Sequence, residues 1–287
     1  MLKRLVVLVL LLAGTPAWAD PAVWAARGPN ATVYLLGSVH LLRPGTVWEG
    51  PAVRRAFDEA SECWFEAVLP DDPAAMQGVM MSTGLDPAHK LSDLLPPNRR
   101  ALLDKLAAES GVGPAMQAMR PWLAAVVLTG QRLLKAGYDP ALGVDTVLQA
   151  QAKAAGKRVA GVETMDQQMR LLAGLPQGLA VKFLLSVMDD AAKGPAVIDE
   201  MIRRWQSADT EALAQISSGQ IRKETPDLYR INFVERNETF ARAVEGFLAG
   251  DKTVLLVIGA GHLAGPDNVR DLLARRGIKV ERVAAPP

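Results

Sequence analysis

The sequence holds three histidines, and two of them end the same short pattern. Gly37-Ser38-Val39-His40 closes the aliphatic run Val33 to Leu36, and Gly259-Ala260-Gly261-His262 closes Val254 to Ile258. A short apolar run bounded by glycine reads as a buried strand, so each imidazole is expected just past a strand end. In open α/β sheets, ligands collect where strands end and helices begin. Gly259 and Gly261 permit a backbone path that a Cβ would obstruct. Taken singly, either histidine fits a turn satisfied by backbone groups; two at one rim point to a shared site. Glu66 is a third oddity, interrupting the apolar run Cys63 to Leu69 on the strand face of Trp64 and Val68. Either it faces water from an edge strand, or it is buried and must meet a cation, a set of donors or a proton.

Two imidazoles and a carboxylate suit zinc, manganese, iron or cobalt, with positions left for water. A divalent ion at His40, Glu66 and His262 (manganese, cobalt or zinc) would make hydroxide available near neutral pH. Arg236 and Asn237 fall on the stripe marked by Phe233, Phe240, Val244 and Phe247, the face of a helix that should be buried. A buried guanidinium needs a carboxylate or an anionic ligand. Arg236 is therefore expected either to hold a substrate carboxylate or developing anion, or to form a structural ion pair. Asn237, Gly37, Gly259 and Gly261 are expected beside it on the substrate side. Glu163 ends another strand, where it serves as general base or simply faces the dipole of the next helix. Asp145, on a helix with Leu148 and Ala152 on its side, is a weaker candidate that reads more readily as a solvated residue, and His89 reads as exposed in a polar loop.

Other chemistries fit less well. No G-x-S-x-G elbow occurs, H-E-x-x-H is absent, and Cys63 lies mid-strand without a nucleophile's signature. The run from Gly259 to Gly265 is G-x-G-x-x-x-G, not a dinucleotide loop.

The elements that must position these groups follow from punctuation and periodicity. Lys3 and Arg4, the apolar stretch Leu5 to Leu12 and Ala17-Trp18-Ala19 form a secretory leader, residues 1–19, cut after Ala19. The protein is thus expected in the periplasm or outside the cell. No later segment has the length and apolarity of a membrane span. The chain carries 32 Lys+Arg against 31 Asp+Glu, and losing two basic residues with the leader leaves it near neutrality. That excludes an electrostatic case for nucleic acid or anionic lipid. Cys63 is the single cysteine, so no intramolecular disulfide forms. Strands are expected at about 22–27, 32–38, 62–70, 157–163 and 253–259, with a last one near 278–283. Helices are expected to start at Pro97, Pro121, Pro140 and Pro266, and Thr164 with Gln167 makes a capping box. The class is α/β: a mixed central sheet built from N- and C-terminal strands, covered by a mostly helical middle region, in one domain over 20–287.

The segments "VYLLGSVHLL", "CWFEAVL", "RINFVERNETFARAVEGFL" and "TVLLVIGAGHLAGPDNVRDLL", with "GKRVAGVETMDQQ" between them, resemble the TraB/PrgY/GumN family. That family includes the animal Tiki proteins and is more distantly similar to the erythromycin-esterase and ChaN-like group. The resemblance implies a mixed α/β core with the two G-x-x-H elements side by side. For Tiki-like members it implies divalent-metal-dependent peptidase activity, with the site falling on His40, His262 and Glu66 and with Arg236 and Asn237 beside them. The expected function is an exported metal-dependent hydrolase acting on a peptide or small-molecule substrate. The alternatives are a periplasmic protein that sequesters a peptide, metal or cofactor without turnover, and metal-independent ester hydrolysis.

Overall fold

The computed structural model describes residues 20–70, 73–193 and 195–284; the expected leader, 1–19, lies outside them. Its strands are β1 (Val23–Arg27), β2 (Thr32–Ser38), β3 (Glu62–Ala67), β4 (Arg158–Glu163), β5 (Thr253–Gly259) and β6 (Val280–Arg282). They form one mixed sheet in the order β4-β3-β5-β2-β1-β6. The four strands β4, β3, β5 and β2 are mutually parallel, and β1 runs antiparallel to both β2 and β6. The C-terminal strand β5 thus sits between two N-terminal ones.

Both faces of the sheet are covered, which is why β5 is apolar without alternation. On one face Tyr34, Leu36, Phe65 and Val257 pack with residues of the helices Pro51–Glu59 and Val144–Ala154. On the other, Val33, Leu35, Val254 and Leu256 pack with Phe240, Val244 and Leu272, from the helices Glu235–Leu248 and Val269–Arg275. The helices Pro97–Ser110, Pro121–Lys135 and Gln177–Lys193 add a separate apolar core around Leu103, Leu128 and Leu184. No single helix among the described residues is long and apolar enough to cross a membrane.

Local signals hold at most element ends and fail at two. The Thr164 hydroxyl accepts from the Gln167 N–H at 3.1 Å, and the Gln167 side chain accepts from the Thr164 N–H at 2.7 Å, starting the helix Met165–Ala173. Asp139-Pro140, by contrast, opens only the 3-10 turn Pro140–Leu142, and the helix begins at Val144 after Gly143. Pro266 does not begin its helix. Gly265 (φ 72°) and Asp267 (φ 59°) take left-handed conformations that turn the chain. The helix therefore starts at Val269, capped by the Asn268 side chain.

Four adjacent parallel strands end on one rim, with Ser38 opposite Gly259 and Ala67 opposite Glu163.

Candidate active site

That rim collects His40 just past β2, Glu66 near the end of β3, Glu163 at the end of β4, and His262 just past β5. Gly259 marks the centre. A Cβ built on it would lie 3.2 Å from Glu66 Oε2, 3.4 Å from His262 Cδ2 and 4.0 Å from His40 Nε2. Its backbone N–H donates to Glu66 Oε2 at 2.8 Å. A side chain at this position would enter the cluster itself, so glycine here is a matter of space.

Each imidazole is anchored from behind. His262, 5% exposed, has its Nδ1 2.7 Å from Asn237 Oδ1. The Asn237 amide nitrogen donates to the Asp267 carbonyl at 2.8 Å. That bond fixes which end of the amide faces the ring, so Nδ1 carries the proton and Nε2 keeps its lone pair. His40 Nδ1 lies 2.9 Å from Asp145 Oδ1, although 56% of the His40 side chain is open to solvent. Phe233 and Phe240 flank His262, with ring centroids 5.3 and 5.0 Å away.

The carboxylates are held by one guanidinium. Arg236 Nη2 donates to Glu66 Oε1 and, at 2.6 Å, to Glu163 Oε2, while its Nε donates to Glu163 Oε1 at 3.0 Å. Gln168 Nε2 donates to both acids, at 2.9 Å to Glu66 and 3.0 Å to Glu163. Arg236 Nη1 stands 3.4 Å from His262 Nε2.

Charge states follow from burial and neighbours. Burial is the chief cause that pushes the His262 pKa down to about 4, with the Arg236 and His40 charges adding and Glu66 opposing, so the ring is neutral at pH 7. Partial desolvation by the surrounding rim also works against protonation of His40, although much of its side chain is open to solvent. There the Asp145 hydrogen bond and charge, with Glu66, outweigh it and lift the pKa to about 9. For Glu66, burial raises the pKa, but the positive charge of His262 when protonated, of Arg236 and of His40 brings it down to about 2. Glu66 is a carboxylate throughout the physiological range.

The structure gives several of the expected site residues specific partners. Arg236 is engaged by two carboxylates and is 15% exposed, so it organises the acids where a substrate carboxylate had been one expectation. Asn237, 1% exposed and bonded at both ends of its amide, sits behind His262. At Gly37 and Gly261 a Cβ would meet Ala260 Cα at 2.9 Å and a Phe233 ring carbon at 3.0 Å, respectively, so space requires glycine at both. Asp145, expected to be solvated, is the anchor of His40. Gln168, which lies on no candidate stripe of the sequence, joins the cluster by bonding both acids. Its signal was faint: it follows the capping Gln167, one turn beyond Glu163. His89 is exposed as expected and bonds only Asp86, three residues away in the chain.

A family model described as the TraB/PrgY/gumN family matches residues 22–282. The chain belongs to that family. Among curated relatives, zebrafish (Danio rerio) "Metalloprotease TIKI1" is 26% identical over 88% of this chain and 61% of its own length. "Metalloprotease TIKI homolog" of Amphimedon queenslandica is 27% identical over 49% of this chain and 32% of its own. "Uncharacterized protein YbaP" of Escherichia coli is 21% identical over 88% of this chain and 92% of its own. This chain thus spans less than two thirds of the length of either TIKI relative. No solved structure matches it.

The donor set fits a divalent ion in its chemistry. Imidazoles that bind metals have the other ring nitrogen tied to an oxygen behind them, and both histidines have this anchor. His262 is neutral at pH 7, whereas His40, with a pKa of about 9, would release a proton on binding an ion. Glu66 Oε2 lies 3.9 Å from His262 Nε2. The spacing is that of an open cluster: no group of three or more His, Cys, Asp or Glu side chains among the described residues is already arranged to hold a metal ion.

Proposed function

We propose that this family member is an exported, divalent-metal-dependent hydrolase of peptide bonds, with His40, Glu66 and His262 as the ligands of manganese, cobalt or zinc. The observation that carries this reading is the pair of anchored imidazoles facing a buried, ionised carboxylate across Gly259. The metalloprotease names of the TIKI relatives support it, and export rests on the leader pattern of residues 1–19.

A divalent ion supplies polarisation of the scissile carbonyl and an acidified water. The chain's own groups do the rest. Asn237 holds His262 in the tautomer whose Nε2 is a ligand, and Asp145 orients His40. Arg236 and Gln168 fix the two acids and offset their charge. Glu163 Oε1, which accepts only from Arg236 Nε while Oε2 takes several bonds, is the site that takes the proton of the attacking water. The test is cleavage of a mixed peptide library by purified protein, with each metal and with chelator. Cleavage abolished by chelator and restored by one ion is expected, with Glu163→Gln lowering kcat but keeping the ion.

One observation favours a second reading, capture without turnover: Arg236 already pairs with both Glu66 and Glu163, so both acids are engaged within the protein. Metal-loaded protein that leaves the library intact, yet melts at a higher temperature with peptides present, selects that reading.

A further inference from the structure

A cleft of about 230 Å³ opens beside His40 and Glu66. Leu41, Leu69, Pro140, Met165 and Val257 give it an apolar lining, and Gln168 and Asp145 bring the polar cluster to its edge. The wall carrying Leu69 is braced. Gln149, 4% exposed, donates to the Ala67 carbonyl at 3.1 Å and accepts from the Leu69 N–H at 3.1 Å. Its amide thus continues the pairing of β3 past the strand end and holds Leu69 in place. Ser38 lines the same cleft and is 4% exposed; its hydroxyl oxygen is itself shielded and has no hydrogen-bond partner, and rotation about χ1 is what would bring it to the cleft. A buried hydroxyl left unpaired is costly, and a serine hydroxyl turns about a single torsion to meet an incoming group.

From these features we infer that the cleft is a specificity pocket for one aliphatic side chain (leucine, isoleucine or methionine) of a peptide, next to the group presented to His40 and Glu66. Ser38 Oγ takes a hydrogen bond from, or gives one to, the peptide backbone. The apolar lining selects the side chain by burying it, the unpaired hydroxyl supplies a polar contact for an amide, and continuity with the His40–Glu66 cluster sets the register. The inference rests on the proposed function for the peptide chemistry, but binding in the cleft requires no turnover.

The experiment uses blocked hexapeptides in which leucine and glycine are exchanged at each position, read by cleavage and, for reduced-amide versions that resist cleavage, by calorimetric binding. At one position leucine should be preferred at least tenfold, the discrimination an apolar pocket supplies. Leu69→Asp should move that preference toward lysine, and Leu69→Ala should weaken it. Ser38→Ala should weaken all the peptides several-fold with an unchanged or higher melting temperature, since no existing bond is lost. Cleavage without a positional preference, or with one that Leu69→Asp leaves alone, overturns the pocket and spares the hydrolase. Binding with the preference but no cleavage overturns the hydrolase and supports the pocket. Neither binding nor cleavage overturns the pocket.

Discussion

His262 should make the protein's stability depend on pH in a window that no other site residue shares. Its pKa falls from 6.5 to about 4 on burial. Between these values the unfolded chain binds a proton that the folded chain refuses, so stability rises with pH there and is lost as pH falls. The full shift corresponds to about 3 kcal/mol, of which about 2 kcal/mol develops between pH 7 and pH 4.5. His40 acts elsewhere. Its raised pKa stabilises the fold fully below pH 6.5, and that contribution disappears as pH rises toward about 9. Glu66, held down at about 2, contributes above pH 4.5 and loses its effect below that. Urea unfolding in chelator at pH 7 and 4.5, for wild type and His262→Gln, isolates the difference. The wild type should lose about 2 kcal/mol more than the variant. NMR titration of the His262 ring gives an independent value if the variant is too unstable. Parallel losses in the two proteins, or a ring that titrates near 6.5, would refute a buried neutral imidazole.

Further outcomes follow from neighbouring geometry. Gly259→Ala should keep its far-UV circular dichroism but lose metal retention, because the new methyl sits against Glu66 and His262. Asn237→Leu should leave the Nδ1–H of His262 unpaired and cost about 2 kcal/mol in denaturant unfolding, the penalty of a buried orphan donor. Asp145→Asn should weaken metal binding by about 10–100-fold in calorimetry, as loss of the group behind a ligand does. Cys63 is buried and its pKa is pushed up to about 11, chiefly by burial. It should therefore ignore a thiol reagent at pH 8 until denaturant is added.

Much of this was legible in the chain, because strands and their ends carry strong local signals. The β-branched run before Gly259 and the aliphatic run before Gly37 located β5 and β2, and the capping box located the helix after β4. Glu66 stood out because a charge in an apolar run needs a reason. The helix stripe exposed Arg236 and Asn237 in the same way, although it did not say which acid or ring each would meet. Asp145 and Gln168 escaped because their neighbours are apolar or polar in ordinary helical rhythm. Their significance arises only when residues more than 100 positions apart meet across the rim. Gly265 and Asp267 delayed the last helix past Pro266, since a left-handed turn outweighs a proline's preference for a first helical position.

The most direct measurement is metal stoichiometry by elemental analysis on tag-free protein, wild type beside His262→Ala. One tightly held ion per chain in the wild type, and none in a folded variant, is the predicted result. An ion retained at wild-type level by the variant, or a wild type that takes up none of manganese, cobalt or zinc, would contradict a metal centre at His40, Glu66 and His262.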